Sequence, residues 1–356
     1  PYQAEVAQGG LQAIFEFQTM VSRLYGLPIA NASLYDGASA VVEAVNLGVG
    51  ATGKQGVLMS AGVHPHWRAV LATFARGTGH RVVEVPLRDG VTDWSASEPA
   101  DDIGVLVAGY PNYLGCLEDL GEARRVADRH GALMAVAADP VTAGILRSPA
   151  DWGADVAVGE GQAFGTALSF GGPYLGLFTC TQAHVRRLPG RLVGETLDAD
   201  GKLAYVTTLR TREQDIRREK ATSNVCTNQT LMALTAAVQL GWLGTTGLAE
   251  IATRSARAAH YARDQLVALS GIEPLTGATA TVREFALRLP VDASVAIERM
   301  ADEGFLAGVA LGELTGGGDG SVSTDDAARG LLVAFTERRG RDEIDRYVAA
   351  LDKAVR

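Results

Sequence analysis

The chain has 356 residues, 47% hydrophobic and 21% charged, with a formal net charge of −9. That is the balance of a globular protein with room for one large domain and a smaller one, and its acidity argues against a general partner in nucleic acid or anionic membrane. Cys116, Cys180 and Cys226 stand far apart without metal-ligand spacing, and no signal peptide or apolar run of about 18 residues is visible, so a reducing, cytoplasmic setting with no metal and no disulfide framework is expected.

Taken in order, Pro1 to Gly10 is polar and extended, and Leu11, Ile14, Phe15, Val21 and Leu24 recur at helical steps until Gly26-Leu-Pro28. The chain begins without Met, so a missing N-terminal portion is expected. Asp36 can cap a helix running to about Asn46. Strands are expected at Val57–Ser60, Arg81–Val85, Val105–Ala108, Leu133–Ala138, Val156–Val158 and Tyr174–Phe178, with helices at His66–Ala75 and Glu118–Arg129. Strands alternating with helices imply a mostly parallel sheet covered on both faces. Pro189–Gly194 and Asp198–Gly201 read as loops, Arg210–Lys220 as a charged helix, and Ala221–Asn228 as a polar interruption. A long helical region follows from Gln229 to Leu269, broken near Gly241 to Gly247. Glu284–Leu289, Val295–Met300, Leu331–Phe335 and a closing helix Arg341–Val355 make a smaller α+β unit, with a loop at Gly316–Asp319. The expected division is a large α/β domain over residues 1–228, then a connecting helix and small domain over 229–356.

Candidate chemistry is sparse. Asp139 ends a buried strand, where a carboxylate needs a partner. That partner is either the protonated pyridine nitrogen of pyridoxal phosphate or, equally, the local backbone before Pro140. Schiff-base chemistry needs a lysine, and the chain has only Lys54, Lys202, Lys220 and Lys353. Lys220, in Arg217-Arg-Glu-Lys-Ala-Thr-Ser-Asn224, is the suggestive one, yet it lies beyond the strand-turn segment and reads better as a helix-end cation. His64 and His66 have no supporting carboxylate pair, and no Gly-x-Ser-x-Gly elbow, phosphate-binding loop or dinucleotide fingerprint is present, Thr315–Gly320 included.

Longer motifs carry a resemblance. Pro1-Tyr-Gln-Ala-Glu5, Phe17-Gln-Thr-Met20, Gly26–Ser33, Gly159-Glu-Gly-Gln162, Ser169–Tyr174, Pro189–Gly194 and Arg218–Gln229 together resemble the glycine cleavage system P-protein family, nearest to the first subunit of its two-subunit form, glycine dehydrogenase (decarboxylating). The resemblance implies a fold type I pyridoxal-phosphate-dependent transferase architecture. It also implies a heteromer that decarboxylates glycine and passes the aminomethyl group to the lipoyl arm of H-protein. In the catalytic second subunit a His-Lys pair follows the strand that ends near Asp155–Glu160. Here that pair falls on Gln162 and Ala163, or its lysine falls on Gln162 when counted back from Phe164. The family's Asn-Ser-Gly-Ala phosphate turn becomes Tyr35-Asp36-Gly37-Ala38, whose carboxylate would repel a phosphate. Asp36, Gly37, Asp139, Gln162 and Ala163 thus outline a degenerate cofactor site, with pyridoxal phosphate in the partner subunit.

Tyr2, Glu5, Lys220, Ser223, Asn224 and Thr227 are candidates to reach the partner's active site, against the alternative that they hold this chain's own loops. Apolar surface for the partner is expected around Leu11–Leu24 and Gly171–Leu177. Two rival functions remain: an autonomous pyridoxal-phosphate lyase or transaminase using Lys220, and a non-enzymatic scaffold for H-protein.

Overall fold

Buried apolar runs make the centre of the molecule. Ile103–Tyr110 (β6) is buried at every position and Leu133–Ala138 (β7) at all but its first, as strands covered on both faces require. The structure is a computed structural model that describes residues 1–97, 101–312 and 322–356. The loop expected at Gly316–Asp319 lies outside the described residues. β6 and β7 join β1 (Ile29–Ala30), β2 (Gly56–Ser60), β3 (Arg81–Val85), β8 (Val156–Glu160) and β9 (Gly176–Cys180) in a seven-stranded sheet ordered β1-β9-β8-β7-β6-β2-β3. From β3 to β8 neighbouring strands are parallel, and β9 runs antiparallel to both β8 and β1. One edge, β1, is two residues long. The other, β3, carries Arg81 and Glu84, which pair with Asp102 and Arg68.

The period-two alternation of the strands divides two cores. Met59 and Val107 face α2 (Gly37–Thr52), with its Val41, Val45 and Leu47. Leu58 and Leu106 face the opposite layer, where α1 (Gln8–Tyr25) supplies Phe17, Val21 and Tyr25 and α4 (Leu120–His130) supplies Ala123 and Val126. The helix α6 (Thr230–Val267) buries Ala233, Ala236 and Leu240 in that layer, and Ala259, Ala262 and Leu266 in a separate core. Its helical geometry breaks at Gly244, with φ 59° and ψ −173°, inside the interval where a break is expected. The second core lies under an antiparallel sheet of β12 (Glu273–Pro274), β13 (Glu284–Arg288), β15 (Gly330–Ala334) and β14 (Val309–Ala310), in that order, with α7 (Ala293–Asp302) and the helix Arg341–Val355. The chain is therefore α/β with a smaller α+β unit.

Three expectations need correction. Arg210–Lys220 is not one helix: only Gln214–Arg217 is α-helical, and Arg218 interrupts it at φ 53°. Arg212 is drawn inward, donating to the carbonyls of Leu188 and Gly190. Asp198–Gly201 is a loop as expected, but it is the turn of an unexpected hairpin, β10 (Val193–Leu197) and β11 (Leu203–Thr207), whose first strand takes the end of the loop expected at Pro189–Gly194. Finally, most apolar residues of Leu11–Leu24 are spent on the chain's own cores, and of Gly171–Leu177 the part Leu175–Leu177 is buried while Gly171 and Pro173 are exposed. Among the exposed apolar side chains are Leu168 and Phe170, beyond β8, and Leu231, Val238 and Trp242 along α6; Val6, Leu197, Leu203 and Leu306 are exposed as well. An 18-residue window of α6 has a mean hydropathy of 1.3, enough by length and composition for a bilayer. The helix packs in both protein cores.

Candidate functional site

In an open α/β sheet the carboxyl ends of the parallel strands define the crevice where ligands bind. Here the ends of β2, β6, β7 and β8 deliver His64, Tyr113, Asp139, Glu160 and Gln162 to a cavity of about 400 Å3, closed from the small domain by Arg283, Glu284 and Leu332. His64, Trp67 and Tyr113 form an aromatic wall, with the His64 ring 5.9 Å from that of Trp67 and 5.0 Å from that of Tyr113. The His64 Nδ1 accepts from the His66 amide at 3.2 Å. Burial, aided by His66 and Arg68, lowers the His64 imidazole to about 4, so the ring is neutral near pH 7.

Asp139 meets two partners. One oxygen accepts from the Val141 amide at 3.0 Å, the local capping bond; the other lies 2.7 Å from the Arg283 guanidinium. Burial raises the Asp139 carboxyl and Arg283 opposes that rise. Arg283 also approaches Glu284 at 3.4 Å, so one cation serves two carboxylates.

Behind Glu160, which lines the cavity, the first turn of α2 is already filled. The Asp36 carboxylate accepts from the Ser39 amide at 2.6 Å. Glu160 reaches across to accept from the Gly37 amide at 2.9 Å, and from those of Gln162 at 3.0 Å and Leu175 at 2.9 Å. Burial raises the Glu160 carboxyl, and these three amides, led by Leu175, pull it down. Gly37 is buried beneath the Trp67 ring, where an added Cβ would overlap ring carbons.

Pyridoxal phosphate does not fit these residues. Its phosphate would meet Glu160 and Asp36 at the helix end, and its pyridinium would compete with Arg283 for Asp139. Gln162 and Ala163 line the wall where the base lysine is expected, and neither can form an imine. The four lysines lie elsewhere: Lys54 donates to the His130 carbonyl, Lys202 lies 3.9 Å from Asp200, Lys353 pairs with Glu303, and Lys220 is exposed in the turn after α5 (Gln214–Arg217). Among the described residues no cluster of His, Cys, Asp and Glu could hold a metal.

A second polar cluster lies beside β1 and takes in Tyr2 of the polar candidates. The Arg191 guanidinium sits 4.6 Å from the centre of the Tyr2 ring, 3.3 Å from Glu213, and donates to the Cys226 carbonyl at 3.2 Å. Tyr2 also hydrogen-bonds Thr230 at 3.2 Å. Asn228 is buried, donating to the Ala32 carbonyl and the Ser33 hydroxyl, while Asn31 donates to the Pro189 carbonyl. Ser33 holds this junction at φ 114°, a conformation that needs such support. Ser223 accepts from Val225 at 3.1 Å and reaches the Glu43 carboxyl. Glu5, Asn224, Thr227 and Lys220 are exposed. The motifs at Asn31–Ser33, Pro189–Gly194 and Arg218–Gln229 thus converge in space, and Arg191 and Asn228 hold them together. Neither residue was singled out from sequence, although both stand inside quoted motifs.

The model of the family described as glycine cleavage system P-protein matches residues 1–280. "Probable glycine dehydrogenase (decarboxylating) subunit 1" of Prosthecochloris aestuarii is 49% identical over 354 residues, 99% of this chain and 77% of that protein. The protein of the same name in Moorella thermoacetica is 45% identical, with the same coverage. The crystal structure of glycine decarboxylase (P-protein) of the glycine cleavage system, in inhibitor-bound form, matches with a TM-score of 0.91 and 42% identity, over 99% of this chain and 78% of that one. A NifS-like protein, 12% identical with a TM-score of 0.71 over 97% of this chain and 88% of its own, shares the fold alone. By sequence and by structure, the chain belongs to the glycine cleavage system P-protein family, alongside the proteins named glycine dehydrogenase (decarboxylating) subunit 1.

Proposed function

We propose that this chain is the subunit of a heteromeric glycine decarboxylase that carries no cofactor. Its partner, the second glycine dehydrogenase subunit, holds pyridoxal phosphate, and the complex decarboxylates glycine and passes the aminomethyl group to the lipoyl group of H-protein. The observation that carries this reading is the cavity at the strand ends: Glu160 occupies the helix-end amides, Arg283 occupies Asp139, and no lysine lines the wall. The cluster around Arg191 and the segment to Asn228 is the part of this subunit proposed to complete the partner's active site, with Lys220 as a fixed cation facing it.

Absorbance of the purified chain with added pyridoxal phosphate, followed by borohydride reduction and peptide mapping, is expected to show no pyridoxyl-lysine. Co-assembly with the second subunit is expected to give glycine- and H-protein-dependent CO2 release. A stoichiometric adduct on Lys220 would instead identify an autonomous lyase. Capture of H-protein by this chain alone, with an active partner indifferent to its presence, would identify a scaffold.

A further inference from the structure

A cofactor site can be lost by erosion, which leaves a polar vacancy, or by replacement, in which protein groups take over the contacts. The three amides that converge on Glu160 come from the first residue of α2, from the turn after β8 and from the residue before β9. Such convergent amides, one of them at a helix N-terminus, make an anion-binding cradle. The chain fills it with its own carboxylate. Asp36 takes another amide of the same helix turn and adds a second negative charge beside the first. Trp67 covers Gly37 on the remaining side.

We propose that Glu160 is the specificity-determining residue of this cavity: it stands where a phosphate would bind and, with Asp36, excludes phosphorylated ligands from an otherwise intact cradle. Arg283 plays the complementary part in the same cavity by pairing with Asp139. The inference rests on the reading that this subunit carries no cofactor. It adds that exclusion is active and reversible by removing two carboxylates.

The test uses the full chain assembled with its partner subunit and, separately, alone, with inorganic phosphate as the probe and chloride at equal ionic strength as the control. In the parent chain, phosphate is expected to leave the melting temperature where chloride leaves it. In Asp36→Ser/Glu160→Ala, phosphate is expected to raise it saturably, since a ligand that binds only the folded state stabilises it by mass action. A variant that is unstable in chloride and recovers in phosphate is the same positive result. Where this variant folds in neither anion, Glu160→Ser, which retains one acceptor for the freed amides, is read in the same assay. A folded variant indifferent to phosphate, or a parent chain that responds equally, overturns the inference. Failure of the underlying reading shows differently, as a pyridoxyl adduct on the parent chain after borohydride treatment.

Discussion

Substituting Arg283 by Met removes the cation that joins the small domain to Asp139 while keeping much of the side-chain volume. Deleting one partner of a buried pair costs about 3–5 kcal/mol, whereas exposed pairs are worth about 0–1 kcal/mol. Arg283 and Asp139 are 20% and 17% exposed, so the solvent-discounted expectation is about 2–3 kcal/mol. For a chain of this size that is a fall in Tm of roughly 3–4 °C. The pH dependence carries the mechanism. Without the guanidinium, burial is opposed at Asp139 only by the Val141 amide and at Glu284 is reinforced by Asp139, and both carboxyls rise further. A raised folded-state carboxyl favours folding below its unfolded value and loses that advantage as pH rises through its folded value. The deficit of Arg283→Met against the parent is therefore largest near pH 8 and shrinks near pH 5. Urea titrations of both proteins at the two pH values measure it. Asp139→Asn in the Arg283→Met background should recover a large part of the loss, because the stranded charge is gone. A loss independent of pH, with no recovery in the double variant, would refute the assignment of the deficit to unpaired carboxylates.

Glu43, buried on α2, is raised to about 7, chiefly by burial and against hydrogen bonds from Ser223 and Asn46. It should cost roughly 3 kcal/mol of stability as pH climbs from the ordinary carboxylate range through 7, and Glu43→Gln should flatten that segment of the pH–stability curve. Phe170→Ser combined with Trp242→Ser should reduce self-association of the isolated chain and weaken the heteromer by at least about 2 kcal/mol if they are anchor residues, as sedimentation equilibrium would show; unchanged association removes this face from the interface. Lys220→Ala should lower turnover of the assembled enzyme on the order of 10²-fold with the complex intact by size exclusion, and full activity would leave Lys220 outside the partner's site.

The central strands are legible in the sequence because β6 and β7 are continuous apolar runs, and a strand buried on both faces allows little else. The hairpin β10–β11 is not, because its outer positions are exposed and its pattern, Val193-Gly-Glu-Thr-Leu197, offers little alternation to read. Arg210–Lys220 misleads for the opposite reason: its charges suit a solvated helix, but Arg212 is pulled inside by carbonyls that only the folded loop assembles. At the cavity, Asp36, Gln162 and Ala163 can be found by counting along motifs, and Asp139 from its place at the end of a buried strand. Glu160 is quoted within one of those motifs, yet its role depends on an amide 123 residues away in sequence. Arg283 lies in a strand-entry position of the other domain and belongs to no motif. Pairings that tertiary structure creates leave no local signature, and here they decide what the cavity can hold.

The two sheet edges have a consequence for how larger assemblies can be built. An open strand edge is a template for adding another strand, and many unwanted associations begin there. β1 offers only two residues, and β3 presents Arg81 and Glu84 held in ion pairs across its outer positions. Both rims are poor templates for a continuous ladder with a second chain. Growth of the central sheet by strand addition is disfavoured at both of its ends, which directs association of the large domain toward side-chain packing on helices and loops, a geometry that closes on a defined partner instead of propagating.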